Sequence, residues 1–289
     1  MSARDAEFAV LGAGVLGSVI AAHLARAGRD VLLLARGARA QQVTAEGLRI
    51  RGLAEFNQPV PVLTEPATLR DARYLVVTTK TYSMEAALMP LRGARIGAAF
   101  SFQNGLMKNE QLCIGELNGA SSERARAIAA IIDDAGVRSS AVEDIQGLEW
   151  AKFASWAALM VLSITVRTET WRYMNDADAA LVMARLVREV GALAIASGVN
   201  LSDQSMLPVA SLCAASETAA AAAIMALGEQ MRANAPRHRM STLQDLQAGR
   251  PLEVEETLGF AVRKAAERGV PVPLLASSYA LARAIDRIR

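Results

Sequence analysis

The sequence predicts an α/β fold in two parts, a parallel sheet covered by helices followed by an all-helical domain. Two observations lead to this prediction. Between Phe8 and Val142 short apolar strands alternate with helical segments, which is the pattern of a doubly wound parallel sheet. From about Ile145 onward almost only helical periodicity remains. We therefore assign residues 1–144 to the first domain and residues 145–289 to the second.

The chain opens with strand Phe8 to Leu11, a glycine-rich turn, an alanine-rich helix to about Ala27 and a second strand from Val31 to Leu34. The turn has the spacing GxGxxG, in the residues Gly12, Ala13, Gly14, Val15, Leu16 and Gly17. In this spacing the first glycine allows the tight turn, the second lets the backbone approach a pyrophosphate, and the third lets the helix pack close to the sheet. The helix N-terminus then binds phosphate charge.

This strand, turn, helix and strand predict a Rossmann domain that binds a dinucleotide. The alternative is a glycine-rich turn in an ordinary βαβ unit. In NAD-binding domains an Asp or Glu about 20 residues after the glycines binds the ribose 2′-hydroxyl. Here Ala35-Arg36 holds that place, with Arg39 close behind. Since a guanidinium can bind a 2′-phosphate through two hydrogen bonds, the sequence predicts NADP(H), unless both arginines are solvated loop charges.

Two later strands also end in polar residues. Strand Tyr74 to Thr79 is followed by Lys80, and strand Ala98 to Phe102 leads to Asn104 in a Gln-Asn-Gly sequence. Ligands of open α/β sheets bind outside the carboxyl ends of the strands, so Lys80 is predicted to face cofactor or substrate charge and Asn104 the nicotinamide. The alternatives are a solvated loop lysine and an ordinary Asn-Gly turn.

The remaining elements follow from periodicity and from helix-terminal residues. In the first domain we predict edge strands at Gly47–Arg51 and Val60–Val62, helices at Met84–Leu91 and Glu123–Asp134, and a last strand at Val137–Val142. In the second domain we predict helices at Gly147–Val166, Asp176–Ser197, Leu212–Met231, Met240–Ala248 and Pro251–Arg268. Pro251 fits a first helical position, and Gly269 followed by two prolines ends the same helix.

The composition excludes several classes of protein. With 31 Lys and Arg against 29 Asp and Glu, the net charge of +2 gives no field that would attract nucleic acid. No apolar run reaches the roughly 18 residues of a membrane span, and no signal peptide is evident. Cys113 and Cys213 predict neither a disulfide framework nor a metal site. We expect a cytoplasmic protein without metal, and the sequence leaves the oligomeric state open, a homodimer included.

Five motifs occur in one order along nearly the whole chain. They are the GxGxxG turn, Val77-Thr78-Thr79-Lys80, Gln103-Asn104-Gly105, Trp150-Ala151-Lys152, and Ser241-Thr242-Leu243-Gln244-Asp245 leading to Gly249-Arg250 and Glu253. No single motif is decisive, but together they resemble the ketopantoate reductase family. That family pairs an N-terminal Rossmann domain with a C-terminal all-helical domain, and its members use NADPH in a step of pantothenate biosynthesis.

The resemblance implies hydride transfer from NADPH to the keto carbon of a 2-oxo acid, as in the reduction of 2-dehydropantoate to pantoate. It implies that Lys152 donates the proton to the developing alkoxide, while Asn104 orients Lys152 or the carbonyl. Ser241 would contact the substrate carboxylate and Glu253 its hydroxyl. Taken alone, Lys152 would more often be a surface lysine, and Glu253 a stabilising carboxylate at the start of the helix predicted from Pro251.

The chain departs from the family in two places. One and two turns after Lys152, where the family has asparagines lining the substrate cleft, this chain has Trp156 and Met160. We predict that they bind substrate as an apolar wall and that 2-oxo acids with unadorned aliphatic chains are favoured. The alternative is that both lie in the core and that Ser155 or Ser163 supplies the polarity.

The second departure follows the Gln-Asn-Gly turn, where the family has further strands. Here only Leu106–Cys113 precedes Ile114-Gly115-Glu116-Leu117. Either that part of the sheet is lost or residues are absent near Cys113; the sequence leaves both open. Two other functions also stay open. One is a non-catalytic NADPH sensor; the other is a different two-domain dehydrogenase, which would need a catalytic histidine where this chain offers only His23 and His238.

Overall fold

A computed structural model describes residues 4–102, 107, 108 and 111–289. The chain divides into two compact units, Met1–Glu143 and Asp144–Arg289. The first is built on a parallel sheet with helices and the second is helical, which confirms the predicted fold class. Among the described residues no helix combines the length and apolar character needed to cross a bilayer.

The elements of the first unit alternate along the chain. The strands are β1 (Arg4–Leu11), β2 (Val31–Leu34), β3 (Leu48–Ile50), β4 (Phe56–Gln58), β5 (Val62–Leu63), β6 (Leu69–Val77), β7 (Arg95–Ser101), β8 (Met107–Lys108), β9 (Gln111–Ile114) and β10 (Ser139–Ala141). The α-helices are α1 (Val15–Arg26), α2 (Gly37–Glu46), α3 (Met84–Leu88) and α4 (Glu123–Asp134), and short 3-10 turns span Pro66–Thr68, Thr81–Ser83 and Met89–Leu91.

The main sheet has five parallel strands in the order β5-β2-β1-β6-β7. From β1 the chain builds outward through β2, then returns to β6 on the other side of β1. Leu11 at the end of β1 is in register with Leu34 of β2 and Val77 of β6. The carboxyl ends of these three strands therefore meet at the point where the strand order reverses, which is where open α/β sheets bind ligands.

Both faces of this sheet are buried, and the alternation along β1 shows how. Phe8 and Val10 pack in one apolar cluster with residues of α1 and α4. Ala9 and Leu11 pack in another, with Ala87 of α3. Successive side chains of a strand point to opposite faces, so a strand covered on both sides needs an unbroken apolar run.

Two smaller sheets complete the first unit. Strands β3 and β4 form an antiparallel hairpin, of which only the first strand is predicted from the sequence. Strands β8, β9 and β10 form a separate sheet in the order β10-β9-β8. In the described part of the segment between β7 and Glu116, the strands are thus β8 and β9, both outside the main sheet.

The regular elements of the second unit are all helical. They are α5 (Ile145–Val166), α6 (Thr170–Met174), α7 (Ala177–Ala196), α8 (Val209–Ala214), α9 (Glu217–Asn234), α10 (Ser241–Gln247), a π-helical segment (Glu255–Gly259), α11 (Phe260–Arg268) and α12 (Pro273–Ile288). Side chains cap the longest of them at the N-terminus, where Asp144 accepts from Gly147 N at 2.8 Å and Asp176 from Ala179 N at 2.9 Å.

Three predictions for this unit are wrong. The helix predicted at Leu212–Met231 is two helices, because Ser216 caps α9 and ends the run from α8. The helix predicted from Pro251 begins only with the π-helical segment at Glu255. Helix α12 is not predicted, because a proline is typical both of the residues that follow a helix and of a first helical position, and Pro273 is the first residue of α12.

The start of α12 depends on a carboxylate from α7. Glu189 accepts hydrogen bonds from Leu274 N at 3.0 Å and Leu275 N at 2.7 Å, and α12 has no side-chain cap of its own. We expect Glu189→Ala to destabilise the protein by about 1–2 kcal/mol, the range for losing an N-terminal cap. Thermal unfolding measures this loss of stability. Glu189→Gln keeps one acceptor oxygen and should therefore lose less stability than Glu189→Ala. Unchanged melting of Glu189→Ala would show that this contact does not hold α12.

Candidate active site

The glycine turn after β1 has the geometry that a bound phosphate needs. Gly12 has φ +114°, and a Cβ there would lie 2.8 Å from Thr78 Oγ1. A Cβ on Gly17 would come within 3.0 Å of the Gly12 carbonyl oxygen and of Thr78 Oγ1. A Cβ on Gly14, by contrast, would have nothing within 4 Å. Two glycines are thus required by neighbouring atoms, and the middle one leaves open space over the turn.

Helix α1 begins directly beyond this open space. Its N-cap is Gly14, without a side-chain cap, and no acidic residue lies in its first turn. Among the described residues, therefore, no side chain competes for the first N–H groups of the helix in the way an Asp or Ser cap would. The dipole and these donors favour an anion, so the turn fits a dinucleotide pyrophosphate.

Thr78 holds the turn in place and is missing from the predicted site. Its hydroxyl lies 3.1 Å from Leu11 O and 3.0 Å from Gly12 O, and Thr78 N donates to Leu11 O at 2.9 Å. Strand β6 ends at Val77, so Thr78 is the first residue past its carboxyl end. A hydroxyl residue at the end of a buried strand beside a GxGxxG turn is the signal that could have identified it.

Two arginines follow β2. Arg36 is the exposed N-cap of α2. Arg39 binds back across the turn: its Nε donates to Ala13 O at 3.1 Å and its Nη2 to Ser18 Oγ at 3.0 Å. Both arginines line a cavity of about 360 Å³ beside Gly12 and the end of β2. The described residues that line this cavity include no Asp or Glu, so that part of its lining carries no carboxylate that would repel a phosphate.

The predicted site has two further residues in this unit, Lys80 and Asn104. Lys80 is exposed and precedes the 3-10 turn Thr81–Ser83, past the carboxyl end of β6. Thr79 beside it lines the cavity. Asn104 lies outside the described residues, so its predicted role stays a prediction.

In the second unit, Lys152 lies on α5 and is half-buried. Burial lowers the pKa of Lys152 to about 8, while the charge of Glu149, one turn earlier, works in the opposite direction. A lysine in this range can both hold and release a proton near neutral pH, which is what a general acid must do.

This pKa sets an expected pH dependence. Proton donation needs the charged form of Lys152, whose fraction falls as the pH rises through its pKa of about 8. We expect kcat/KM to be level below that value and to fall about tenfold per pH unit above it. Steady-state assays across the range measure this. A profile without the falling limb would mean that no group of this kind donates the proton.

The two residues predicted to form an apolar wall, Trp156 and Met160, lie in different surroundings. Met160 has no exposed surface and belongs to the apolar core of the second unit, so it cannot form the predicted wall in this structure. Trp156 is half-buried and stacks on Phe153 with ring centroids 6.4 Å apart. Of these two side chains, only that of Trp156 is partly exposed to solvent.

The serines offered as alternatives are engaged in the core. Ser155 is buried, and its hydroxyl oxygen accepts from Leu207 N at 3.0 Å. Ser163 is also buried and donates to Met160 O at 2.8 Å. Neither hydroxyl replaces the polarity that the asparagines would give.

Ser241 and Glu253 lie on either side of the turn after α10. Ser241 is the exposed first residue of α10, a helix that packs on α5. Glu253 is only 8% exposed and lies in an irregular segment, so its predicted place in the first turn of a helix is wrong. Helix α12 holds this segment: Leu252 N donates to Asp286 Oδ1 at 3.0 Å, and the Tyr279 hydroxyl donates to Glu255 Oε2 at 2.6 Å.

The two histidines have structural partners. The Nδ1 of buried His23 lies 3.0 Å from Ala135 O, and the Nδ1 of His238 lies 2.9 Å from Thr170 Oγ1. Neither contact involves a residue of the predicted site. Within the described part of the chain, no group of three or more His, Cys, Asp or Glu is placed to hold a metal ion.

Two family models match this chain. The model described as ketopantoate reductase PanE/ApbA matches residues 8–135, and the model described as ketopantoate reductase PanE/ApbA C terminal matches residues 144–286. The 2-dehydropantoate 2-reductase of Archaeoglobus fulgidus is 27% identical over 309 aligned residues, which take in 96% of this chain and 97% of that protein. Because the alignment exceeds the 289 residues here, that relative has residues that this chain lacks.

Solved structures are similar over nearly the whole chain. A PanE/ApbA family ketopantoate reductase from Ralstonia eutropha JMP134 has a TM-score of 0.80 at 25% identity, covering 98% of this chain and 99% of that one. A D-mandelate dehydrogenase, solved with NADH and anilino(oxo)acetate, has a TM-score of 0.79 at 17% identity and covers 98% of each chain. The second likeness is one of fold alone.

Proposed function

Because this chain belongs to the ketopantoate reductase PanE/ApbA family, we propose that it reduces a 2-oxo acid, 2-dehydropantoate or a close relative, with NADPH and with Lys152 as proton donor. The observation that carries the proposal is the state of Lys152: it is half-buried, and its pKa is lowered to about 8. It stands in Trp150-Ala151-Lys152, one of the motifs on which the resemblance to the family rests.

In this proposal residues of the first unit bind the cofactor, and Lys152 transfers the proton. The open space at Gly14 and the start of α1 support binding of the pyrophosphate, and Arg36 offers charge to a 2′-phosphate. When bound, the reduced nicotinamide supplies a hydride to the carbonyl carbon. The ammonium of Lys152 stabilises the negative charge that develops on the carbonyl oxygen, gives that oxygen its proton and becomes a neutral amine.

The remaining roles follow the family pattern and suit the chemistry of each side chain. The exposed hydroxyl of Ser241 can donate to the substrate carboxylate. The carboxylate of Glu253 can accept from a substrate hydroxyl, and its burial makes that bond stronger than it would be in water. Asn104 keeps its proposed role of orienting Lys152 or the carbonyl.

The experiment that tests this function is NADPH oxidation by the full chain with a panel of 2-oxo acids that includes 2-dehydropantoate. We expect turnover with at least one of them. Tight NADPH binding without turnover of any carbonyl compound would indicate the non-catalytic sensor instead. Turnover confined to compounds that are not 2-oxo acids would indicate a different dehydrogenase.

The surface of Trp156 leads to a prediction about the substrate. Where an asparagine would give the substrate hydroxyl a partner besides Glu253, Trp156 offers only apolar surface. Each polar group left unsatisfied costs about 1–3 kcal/mol, which is about five- to 160-fold in kcat/KM. We therefore expect 2-oxoisovalerate to be reduced with a higher kcat/KM than 2-dehydropantoate. Trp156→Asn, which restores the family residue, should raise kcat/KM for 2-dehydropantoate alone. If the wild-type protein clearly prefers 2-dehydropantoate, the idea of an apolar cleft should be dropped.

A further inference from the structure

Helix α5 has a partly exposed surface around Lys152, and most of that surface is aromatic. From residue 149 to residue 164 the helix is buried except at five positions, which are Glu149, Trp150, Lys152, Phe153 and Trp156. We call the three rings among them, Trp150, Phe153 and Trp156, the aromatic strip. Large apolar side chains that stay partly exposed side by side mark a surface that binds something.

The rings of the aromatic strip hold one another in place. Trp150 contacts Phe153 edge to face, with ring centroids 6.0 Å apart. Phe153 stacks on Trp156 with centroids 6.4 Å apart and planes 25° from parallel. All three rings also pack against the apolar core of the second unit. The strip is therefore ordered before a ligand binds, and a ligand that contacts it loses little affinity to the ordering of side chains.

Lys152 lies beside this strip. Trp156 comes four residues after Lys152 and three after Phe153, so on the surface of α5 it lies between them. Glu149 comes three residues before Lys152, one turn towards the start of the helix. Lys152 thus has a carboxylate on one side and the ring of Trp156 on the other. A molecule whose polar end is at the ammonium contacts aromatic surface on the side of Trp156.

An aromatic ring fits this surface better than an alkyl chain does. Two rings attract each other when stacked or edge to face, beyond the effect of burying apolar area. We propose that the preferred substrates are 2-oxo acids that carry an aromatic ring, with the ring bound on Trp156 beside Phe153 and the keto group at Lys152. Trp156 is then the residue that determines specificity. This inference rests on the proposed reduction of a 2-oxo acid and names the class of acid.

The test compares three acids in which one methylene separates the keto group from the side group. They are phenylpyruvate, cyclohexylpyruvate and 4-methyl-2-oxopentanoate, each reduced by the full chain with NADPH. We expect phenylpyruvate to have the highest kcat/KM, about two- to tenfold above cyclohexylpyruvate from the pairing of rings alone. Its advantage over 4-methyl-2-oxopentanoate should be about tenfold or more, because a larger apolar group is buried. Since the ring binds away from the reacting atoms, the difference should lie mainly in KM.

Variants of Trp156 assign this preference to one side chain. Trp156→Leu keeps an apolar side chain without a ring, so it should reduce phenylpyruvate and cyclohexylpyruvate with equal kcat/KM. Trp156→Phe keeps a ring and should retain most of the preference, which also tests the inference if the leucine variant folds poorly. Phe260→Leu removes another exposed ring of the second unit, one that also has a lysine nearby, and should behave like the wild type. Melting temperatures of all variants check the fold.

The outcomes separate this inference from the proposed function. If the wild type reduces cyclohexylpyruvate or 4-methyl-2-oxopentanoate as well as phenylpyruvate, the aromatic preference is wrong. If Trp156→Leu keeps the preference of the wild type, the ring is not bound at Trp156. In both cases 2-oxo acids are still reduced and the proposed function stands. Absence of NADPH oxidation with every 2-oxo acid would contradict the proposed function, and the inference would fall with it.

Discussion

Replacing Lys152 by alanine should lower kcat by about two to four orders of magnitude, the usual contribution of a positioned proton donor. The affinity for NADPH should change little, because the glycine turn and the arginines that are proposed to bind the cofactor belong to the first unit, whereas Lys152 lies on α5. Steady-state kinetics with the best 2-oxo acid and a separate NADPH titration measure both quantities.

Two variants sharpen this test. Lys152→Arg keeps the positive charge but not the ability to give up a proton, so it should restore little of kcat. Lys264→Ala removes another lysine of the same unit, one whose ammonium lies 5.7 Å from the Phe260 ring, and should behave like the wild type. If Lys152→Ala retains its kcat, Lys152 is a structural or surface residue and another group supplies the proton.

Replacing Gly17 by alanine should both destabilise the first unit and abolish tight cofactor binding. The added Cβ would come within 3.0 Å of a backbone oxygen, that of Gly12, and of Thr78 Oγ1. A backbone atom cannot move aside as a flexible side chain can, so the turn must open. Overpacking of this kind costs about 1–3 kcal/mol and occasionally more. We expect a lower Tm and a fall in NADPH affinity of about tenfold or more.

Glycines in other surroundings serve as controls. Gly14→Ala meets nothing within 4 Å, so its Tm should stay at the wild-type value while its methyl group enters the space proposed for the pyrophosphate and weakens NADPH binding. Gly93→Ala also meets nothing within 4 Å and should change neither quantity. Should Gly17→Ala bind NADPH like the wild type, the tight packing of the turn is not needed for the cofactor.

Elements formed by short-range preferences were predicted closely. Strand β2 has the predicted bounds, Val31–Leu34, because an apolar strand buried on both faces shows as an unbroken run. Helix α4 has the predicted bounds, Glu123–Asp134, because Ser122 caps it with a bond from Ala125 N. The glycine turn was also readable, since its requirements lie within a few residues of chain.

Elements whose bounds depend on contacts with residues distant in sequence were not predicted closely. The first turn of α12 is held by Glu189 of α7, which is distant in sequence. The helix has no side-chain cap, and the proline at its start is equally typical of the residues that follow a helix. The irregular stretch around Glu253 is held by Asp286 and by Tyr279, both on that same α12. Because α12 is not predicted from the sequence, the contacts by which it holds the segment around Glu253 cannot be predicted either.

For the site, the sequence alone determined which residue types stand at the glycine turn, at Arg36 and at Lys152, because spacing along one strand or helix is a local property. Only the tertiary structure decided their surroundings. In the folded protein Met160 is buried and Trp156 is half-buried. The spacing of residues along α5 does not determine which face of the helix packs into the core. The tertiary structure also brought Arg49 and Arg51 into the lining of one cavity with Gly14, because β3 packs on α1 in the folded unit.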